Sequence, residues 1–369
     1  MSSRIPGPRF LHSPGPTHLP DEVLDAMHRQ PVDLMDPRLV DIVAACESGL
    51  QRLAGTAAGE VFMYAANGHG AWEVVIENLL TPGASVLIPG TGHFSDSWAL
   101  QCEALGRHTV RTPWREGAPI DPQDVEAALR DDREHRIQAV FVVHTDTASS
   151  VTSDLDALRA AIDRSGHPAL FVVDAVASLG AAPLAMDAQR IDLLVGASQK
   201  GLMLPPGIGF VIVGEAAAAA ARRNPAPRFY WDWGRRSGKM AYQKFCGTPP
   251  LNLLMGMRAG LDLLFQEGVD AVQARHRLLS SAVHAAVQAW SREGGVDFFC
   301  ANAAARSVSV TAIRTAPGIE PEAIRTVARE RFQVAIAGGL GPLHGRVFRI
   351  GHLGDLNPAM ILGALAGVE

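Results

Sequence analysis

Two charged residues, Asp174 and Lys200, follow two apolar runs of the sequence, and their side chains could carry out chemistry together. The run from Phe171 to Val173 stops at Asp174, and a second run, from Ile191 to Val195, is followed shortly by Lys200. Continuous apolar runs of this length are typical of strands buried on both faces of a parallel sheet. Because open α/β sheets bind ligands beyond the carboxyl ends of their strands, the pattern predicts that a carboxylate and an amine meet in one crevice.

An amine and a carboxylate in one crevice suit a particular cofactor. A lysine amine forms a Schiff base with an aldehyde, and a carboxylate that faces a pyridine nitrogen keeps that nitrogen protonated, so that the ring can accept electrons from a substrate. Pyridoxal phosphate needs both groups. On this stretch alone, an ordinary βαβ unit with a surface lysine and a strand-end aspartate explains the pattern equally well.

Two motifs around these residues carry a family resemblance. Asp174-Ala-Val-Ala-Ser-Leu-Gly180 and Gly196-Ala-Ser-Gln-Lys-Gly201 resemble the cofactor-aspartate and Schiff-base-lysine motifs of the class V aminotransferases, the pyridoxal phosphate-dependent alanine-glyoxylate and serine-glyoxylate group. The resemblance runs from about residue 14 to residue 354. It implies that Lys200 is the catalytic lysine, that Asp174 holds the ring nitrogen, and that Val176 and Gln199 also contact the cofactor.

A glycine-containing turn is the expected phosphate site. It lies between a predicted strand, residues 61–66, and a helix predicted from about residue 71 to residue 80. A helix start can hold a phosphate because its first backbone N–H groups are unpaired and lie at the positive end of the helix dipole. The resemblance assigns the phosphate to Gly68, His69 and Gly70, whereas His69 considered alone is more typical of a hydrogen-bonded structural residue.

An aromatic ring and a hydroxyl complete the expected cofactor contacts. Residues 90–98 are predicted to form a loop, and the resemblance places Phe94 against the pyridine face, with Trp98 as the runner-up. Either ring could instead belong to the core. Thr147, in a polar segment after a buried strand, matches the family's hydroxyl near the ring oxygen.

Two later segments supply the expected substrate and partner contacts. Arg349 matches the family's substrate-carboxylate arginine, and a guanidinium group suits a carboxylate because it makes two parallel hydrogen bonds; from the residues alone, Arg346 is equally eligible. Thr248 matches a threonine that reaches the phosphate of the neighbouring subunit, which implies a homodimer. Phe245 replaces the family's tyrosine, and Tyr242 could supply the hydrogen bond lost there.

One departure from the family leaves the substrate open. Leu34 and Met35 stand where many members carry a His-Arg pair, although both could simply be packing residues. The favoured function is transfer of an amino group from a small amino acid to glyoxylate or pyruvate. The alternatives are another pyridoxal phosphate reaction, such as that of a pyridoxamine-pyruvate transaminase, a lyase or a racemase, and non-catalytic binding of the cofactor.

Net charge, hydropathy and cysteine spacing argue against several classes of protein. A net charge of −5 without a basic cluster argues against nucleic acid as a partner. The sequence shows no signal peptide and no apolar span of membrane length, which predicts a soluble cytoplasmic protein. The cysteines predict neither a disulfide framework nor a metal site, because Cys46, Cys102, Cys246 and Cys300 are scattered without paired spacing.

The elements that must position these residues predict an α/β protein, and the resemblance implies fold type I, the architecture of pyridoxal phosphate-dependent transferases of this family. A chain of 369 residues is expected to form more than one domain. Residues 1–20 form an N-terminal arm that is rich in proline and cannot sustain a helix. Residues 21–250 form a large cofactor-binding domain with a doubly wound, mainly parallel sheet, and residues 251–369 form a smaller C-terminal α+β domain.

Overall fold

The computed structural model describes residues 6–369, so the first five residues of the expected arm lie outside the described part of the chain. The helices are α1 Asp21–Met27, α2 Pro37–Ala54, α3 Gly68–Leu79, α4 His93–Ala104, α5 Pro122–Asp131, α6 Leu155–Ser165, α7 Glu215–Arg223, α8 Ala241–Lys244, α9 Leu251–Glu267, α10 Val269–Ser291, α11 Pro321–Phe332 and α12 Pro358–Val368. The strands are β1 Phe10–His12, β2 Glu60–Ala66, β3 Ser85–Pro89, β4 His108–Thr112, β5 Ile137–Val143, β6 Thr145–Asp146, β7 Val151–Thr152, β8 Leu170–Asp174, β9 Leu193–Ala197, β10 Gly207–Val213, β11 Val296–Phe298, β12 Val310–Thr315, β13 Val334–Gly338 and β14 Val347–Gly351.

The large sheet confirms the predicted fold class. Its strand order is β2-β10-β9-β8-β5-β3-β4, and the five strands from β9 to β4 run parallel, whereas β10 is antiparallel to both of its neighbours. The central strands are apolar throughout because helices cover both faces of the sheet. One apolar layer joins the sheet to α2, α5, α6 and α9, and the other joins it to α3, α4 and α7.

A second, smaller sheet has the order β1-β13-β14-β12-β11. Helices α10, α11 and α12 pack on it around a separate apolar cluster that includes Val283 and Phe348. The arm contributes β1 to this sheet, parallel to β13. Helix α9 packs instead with the large sheet through Leu254, Met257 and Leu261. The expected division between residues 250 and 251 therefore remains a prediction.

Two elements near the crevice differ from the sequence predictions. Helix α3 begins at Gly68, not near residue 71, because the side chain of Asn67 accepts a hydrogen bond from the backbone N–H of Gly70 and caps the helix. The segment that was predicted as a loop contains α4 from His93 onward. The carboxylate of Asp146 accepts from the backbone N–H of Phe94 at 2.9 Å and so satisfies one of the unpaired donors of this helix.

The parallel strands bring the polar residues to one edge of the large sheet. β8 ends at Asp174, which is paired with Val143 at the end of β5 and with Val195 in β9. Lys200 follows the end of β9 by three residues. Among residues 6–369, no helix is both long enough and apolar enough to cross a membrane.

Candidate active site

A cavity of about 290 Å³ lies beyond the carboxyl ends of β5, β8 and β9. Most of the residues that the sequence assigned to the cofactor line it, namely Gly68, His69, Phe94, Thr147, Asp174, Val176, Gln199 and Lys200. The lining does not include Gly70 or Thr248. The structure therefore brings together groups that are separated by more than a hundred residues of sequence.

Lys200 is held by the N-terminal arm. Its Nζ donates a hydrogen bond to the backbone carbonyl oxygen of Pro14 at 2.6 Å. Burial and, to a smaller extent, the positive charge of Arg349 lower the pKa of Lys200 to about 8, although Asp174 and Asp146 oppose this shift. A substantial fraction of the amine is therefore neutral at mildly alkaline pH, where it can act as a nucleophile or a base.

Asp174 is a buried carboxylate with two hydrogen-bond donors. Its Oδ1 accepts from the backbone N–H of Val176 at 2.7 Å, and its Oδ2 accepts from Nε1 of Trp72 at 3.0 Å. Burial raises the pKa of Asp174 to about 6, and the two donors and Lys200 limit the rise. The carboxyl group is thus mainly ionised at neutral pH and can face a cationic group in the cavity.

The start of α3 supplies backbone donors at the same cavity. Gly68 and His69 lie in its first turn and line the cavity, whereas the N–H of Gly70 is used by the Asn67 cap. A Cβ atom at position 70 would lie 2.7 Å from the Cβ of Ala66, so packing alone requires this glycine. The role of Gly70 in phosphate binding therefore stays a prediction.

The two aromatic candidates lie in different environments. Phe94 lines the cavity, whereas Trp98 is fully buried and stacks between Trp72 and Phe141. Trp98 is thus a core residue, and Phe94 is the ring that can face a planar ligand.

Arg349 joins the two sheets beside the cavity; it is not one of the lining residues, but it contacts Thr147, which is. Its Nε donates to the carbonyl oxygen of Gly338 at 2.7 Å, and its Nη1 donates to the carbonyl oxygen of Thr147 at 2.8 Å. Burial lowers the pKa of Arg349 to about 10, so the side chain remains cationic at neutral pH. Arg346 is exposed and makes a bidentate ion pair with Glu116, with both N–O distances at 2.8 Å, which leaves Arg349 as the candidate for a substrate carboxylate.

The positions that departed from the family pattern, or that were assigned to a partner subunit, lie outside this cavity. Thr248 is exposed, and Tyr242 is 38% exposed. Phe245 is buried in the apolar layer that joins the large sheet to α2 and α9. Leu34 packs against the same core, and Met35 is 63% exposed.

Sequence reasoning missed two parts of the cavity wall. Gly15 and Pro16 of the arm and Trp72 of α3 all line it. Trp72 stands four residues after Gly68, which places both on one face of the helix, and this spacing was the available signal. The approach of the arm had no local signal, because the arm reaches Lys200 through tertiary contacts alone.

These groups fit pyridoxal phosphate. The amine of Lys200 and the carboxylate of Asp174 suit its aldehyde and its pyridine nitrogen, and the start of α3 suits its phosphate. Gln199 strengthens the fit, because its buried Oε1 has no hydrogen-bond partner within the described chain and its amide is therefore available to a ligand.

Comparisons with known proteins identify the family. The family described as "Aminotransferase class-V" matches residues 9–344. The chain is 39% identical to a serine–glyoxylate aminotransferase of Methylorubrum extorquens and 37% identical to an L-aspartate–glyoxylate aminotransferase of Paracoccus denitrificans, with 100% of this chain and 92% and 91% of those proteins covered. The crystal structure of a ureidoglycine-glyoxylate aminotransferase from Bacillus subtilis superposes with a TM-score of 0.88 at 26% identity, over 99% of this chain and 93% of that one. The chain therefore belongs to the class V aminotransferases and is a pyridoxal phosphate-dependent transferase of fold type I.

Proposed function

We propose that this protein transfers the amino group of a small amino acid to glyoxylate or pyruvate. The observation that carries the proposal is that one cavity holds the amine of Lys200, the carboxylate of Asp174 and the start of α3. The two relatives described above are named for glyoxylate as the amino acceptor, which supports the same acceptor here.

Lys200 is the catalytic residue in this proposal. Pyridoxal phosphate, when bound, supplies an aldehyde that condenses with amines and a ring that withdraws electrons from the substrate Cα. The Nζ of Lys200 takes the proton from the substrate Cα and would deliver it to the C4′ carbon of the bound cofactor, which requires a neutral amine in the cavity. The lowered pKa of Lys200, about 8, favours that form.

Asp174 and the start of α3 hold the two ends of the cofactor. The ionised carboxylate of Asp174 pairs with the protonated pyridine nitrogen and so maintains the electron-withdrawing form of the ring. The backbone donors of Gly68 and His69 hold the phosphate. Gly70, whose N–H is bound to the side chain of Asn67, leaves room for Ala66 beside them. Phe94 packs on the ring face, and Thr147, Val176 and Gln199 complete the contacts.

Arg349 binds the substrate carboxylate. Its Nε and Nη1 are anchored by backbone carbonyl oxygens, and Nη2 takes part in neither bond, so the guanidinium group is oriented before the substrate arrives. Amino acids and 2-oxo acids both carry this carboxylate, so one arginine serves the donor and the acceptor.

The same proposal includes a homodimer in the cytoplasm. Exposed Thr248 supports the dimer, because it matches a threonine that contacts the phosphate of the neighbouring subunit. The four cysteines support a reducing compartment, because all of them are free thiols, as is typical of cytosolic proteins.

A donor and acceptor screen tests the reaction. The protein loaded with pyridoxal phosphate is incubated with alanine, serine, aspartate or pyridoxamine as the amino donor and with glyoxylate or pyruvate as the acceptor, and glycine or alanine formation is measured by chromatography. We expect glycine or alanine from at least one amino-acid donor and no product with Lys200→Ala. Turnover of pyridoxamine alone, racemisation of the donor, or elimination without amino transfer would contradict the proposal.

A further inference from the structure

The indole of Trp72 makes a contact that the proposed mechanism has not used. Trp72 is only 2% exposed, and its Nε1 donates to Oδ2 of Asp174 at 3.0 Å. The backbone N–H of Val176 donates to the other oxygen at 2.7 Å. Each carboxylate oxygen has a second lone pair, so both bonds can persist when a cationic nitrogen approaches Asp174.

The indole itself is held by aromatic packing. It stacks on Trp98 with the ring centroids 5.2 Å apart at 11°, and Trp98 stacks on Phe141 at 4.4 Å. The ring centroids of Phe94 and His69 lie 6.3 Å and 4.6 Å from that of Trp72. Burial lowers the pKa of His69, which favours the neutral form of the ring beside the indole.

One turn of α3 connects the two ends of the expected cofactor site. Gly68 begins the helix at the phosphate end, and Trp72 follows four residues later on the same face, where it contacts Asp174. The helix therefore fixes the distance between the phosphate donors and the indole N–H, because its backbone is rigid over a single turn.

We infer that Trp72 is a positioning residue for Asp174, whose indole N–H holds the carboxylate in the orientation that meets the pyridine nitrogen and favours its ionised form. The inference rests on the role proposed above for Asp174. A hydrogen bond from a neutral donor to a buried carboxylate stabilises the charge without adding a competing cation.

The other charged groups near Asp174 do not suffice to stabilise its ionised form, so a neutral donor such as the indole N–H contributes to it. Burial and, to a smaller extent, the nearby carboxylate of Asp146 raise the pKa of Asp174 to about 6. Lys200 lowers it, but this cation is itself partly neutralised in the cavity. His144, whose backbone N–H donates to the carbonyl oxygen of Asp174, has its side-chain pKa lowered by burial to about 4 and is uncharged at neutral pH. Removing the indole N–H should therefore raise the pKa of Asp174.

The test compares Trp72→Phe with Trp98→Phe in the full-length protein. Both changes replace a buried indole by a phenyl ring in the same stack, but Nε1 of Trp98 has no hydrogen-bond partner among residues 6–369, so only Trp72→Phe removes a bond. Equilibrium dialysis measures the dissociation constant of pyridoxal phosphate, and kcat/KM is measured against pH. We expect the dissociation constant to rise about tenfold or more for Trp72→Phe alone. Its acid limb of kcat/KM should move to higher pH, because a carboxylate with a raised pKa is protonated earlier as the pH falls.

A double-mutant cycle shows whether the effect passes through Asp174. In an Asp174→Ala background, Trp72→Phe should change the dissociation constant no more than Trp98→Phe does. An equal loss in both backgrounds, or equal behaviour of the two phenylalanine variants, would overturn the inference. If Asp174→Ala itself leaves cofactor affinity and activity unchanged, the proposed role of Asp174 fails instead. The pair Trp72→Met and Trp98→Met repeats the comparison if a phenylalanine variant does not fold.

Discussion

The chemistry of the cavity depends first on one amine. The sequence contains only three lysines, Lys200, Lys239 and Lys244. Lys244 forms an ion pair with Glu47 at 2.5 Å, and Lys239 is exposed. Lys200 is thus the lysine whose surroundings lower its pKa and hold its Nζ inside the cavity.

Reduction with borohydride should therefore fix pyridoxal phosphate on Lys200. Borohydride converts the carbon–nitrogen double bond between the aldehyde and the amine to a stable single bond, and peptide mapping by mass spectrometry locates the adduct. The small number of lysines makes the result unambiguous. An adduct mainly on Lys239 or Lys244 would show that the assignment is wrong.

Asp174→Asn should still bind the cofactor, with a raised dissociation constant, and lose most of the activity. An amide carries no charge and cannot keep the pyridine nitrogen protonated as a carboxylate does, whereas the phosphate donors and Lys200 still hold the ligand. Bound pyridoxal phosphate is measured by absorbance after release, and turnover is measured in the same samples. Activity at the native rate would exclude the proposed role of this carboxylate.

Arg349→Ala should lower kcat/KM by about a hundredfold or more, because two charge-assisted hydrogen bonds to the substrate carboxylate are lost. Arg349→Lys should recover little, since an ammonium group cannot make the paired contacts that fix the carboxylate. Arg346→Ala is the matched control, because its side chain is exposed and paired with Glu116. Equal losses of bound cofactor and turnover in Arg349→Ala would indicate a structural role.

At the scale of elements, the N-terminal arm connects the strand that carries Arg349 to Lys200. Nδ1 of His12 donates to the carbonyl oxygen of Gly351, at the end of the strand that carries Arg349. Two residues later, the carbonyl oxygen of Pro14 accepts from Lys200 Nζ. The arm therefore positions Lys200 with respect to the small sheet.

Gly15→Ala should disturb that position. A Cβ atom at Gly15 would lie 2.6 Å from Cδ, Cε and Nζ of Lys200, and the backbone φ of +138° also disfavours a side chain. We expect a lower ratio of bound pyridoxal phosphate to protein, measured by absorbance at equal protein concentration. Gly7→Ala is the control, because its φ is also positive, at +94°, but no atom lies within 4 Å of the added Cβ. Equal effects of the two changes would show that backbone strain, not contact with Lys200, is responsible.

The sequence predicted those elements whose signals are local. The apolar runs before Asp174 and Lys200 sufficed to place both residues at one sheet edge, because parallel strands share the direction of their carboxyl ends. Helix α4 was missed because a donor at its first turn is satisfied by Asp146, about fifty residues away in sequence. The spacing from Gly68 could have placed Trp72 on the cavity side of α3, but its contact with Asp174 had no local signal, since the acceptor lies in β8.

At the scale of the whole molecule, the site depends on contact between the two sheets. Arg349 donates to Gly338 within the small sheet and to Thr147 beyond the large one. The surface pair of Arg346 and Glu116 spans the same junction. Movement of the small sheet would therefore displace the substrate carboxylate site relative to the cofactor site.

A homodimer is expected at this scale. The role proposed for exposed Thr248 requires a second chain whose phosphate site it contacts. Large apolar side chains are also exposed nearby in sequence, with Phe229 69% and Tyr230 40% exposed. Sedimentation velocity at the concentration used for activity measurements should give a dimer. A monomer with full activity would contradict the prediction.

Mixing two inactive or weakened variants tests whether Thr248 acts on the neighbouring chain. Thr248→Ala should weaken cofactor binding about tenfold or more, because a hydrogen bond to a charged phosphate is lost, and Lys200→Ala removes the catalytic amine. In a mixed dimer, the site that contains Lys200 receives Thr248 from the other chain, so one site per dimer is complete. We therefore expect the mixed dimer, prepared by co-expression with two affinity tags, to bind pyridoxal phosphate on Lys200 with native affinity and to recover about half of the native activity. If Thr248 acts within its own chain, no complete site forms, and the mixed dimer will show only the weakened binding of Thr248→Ala.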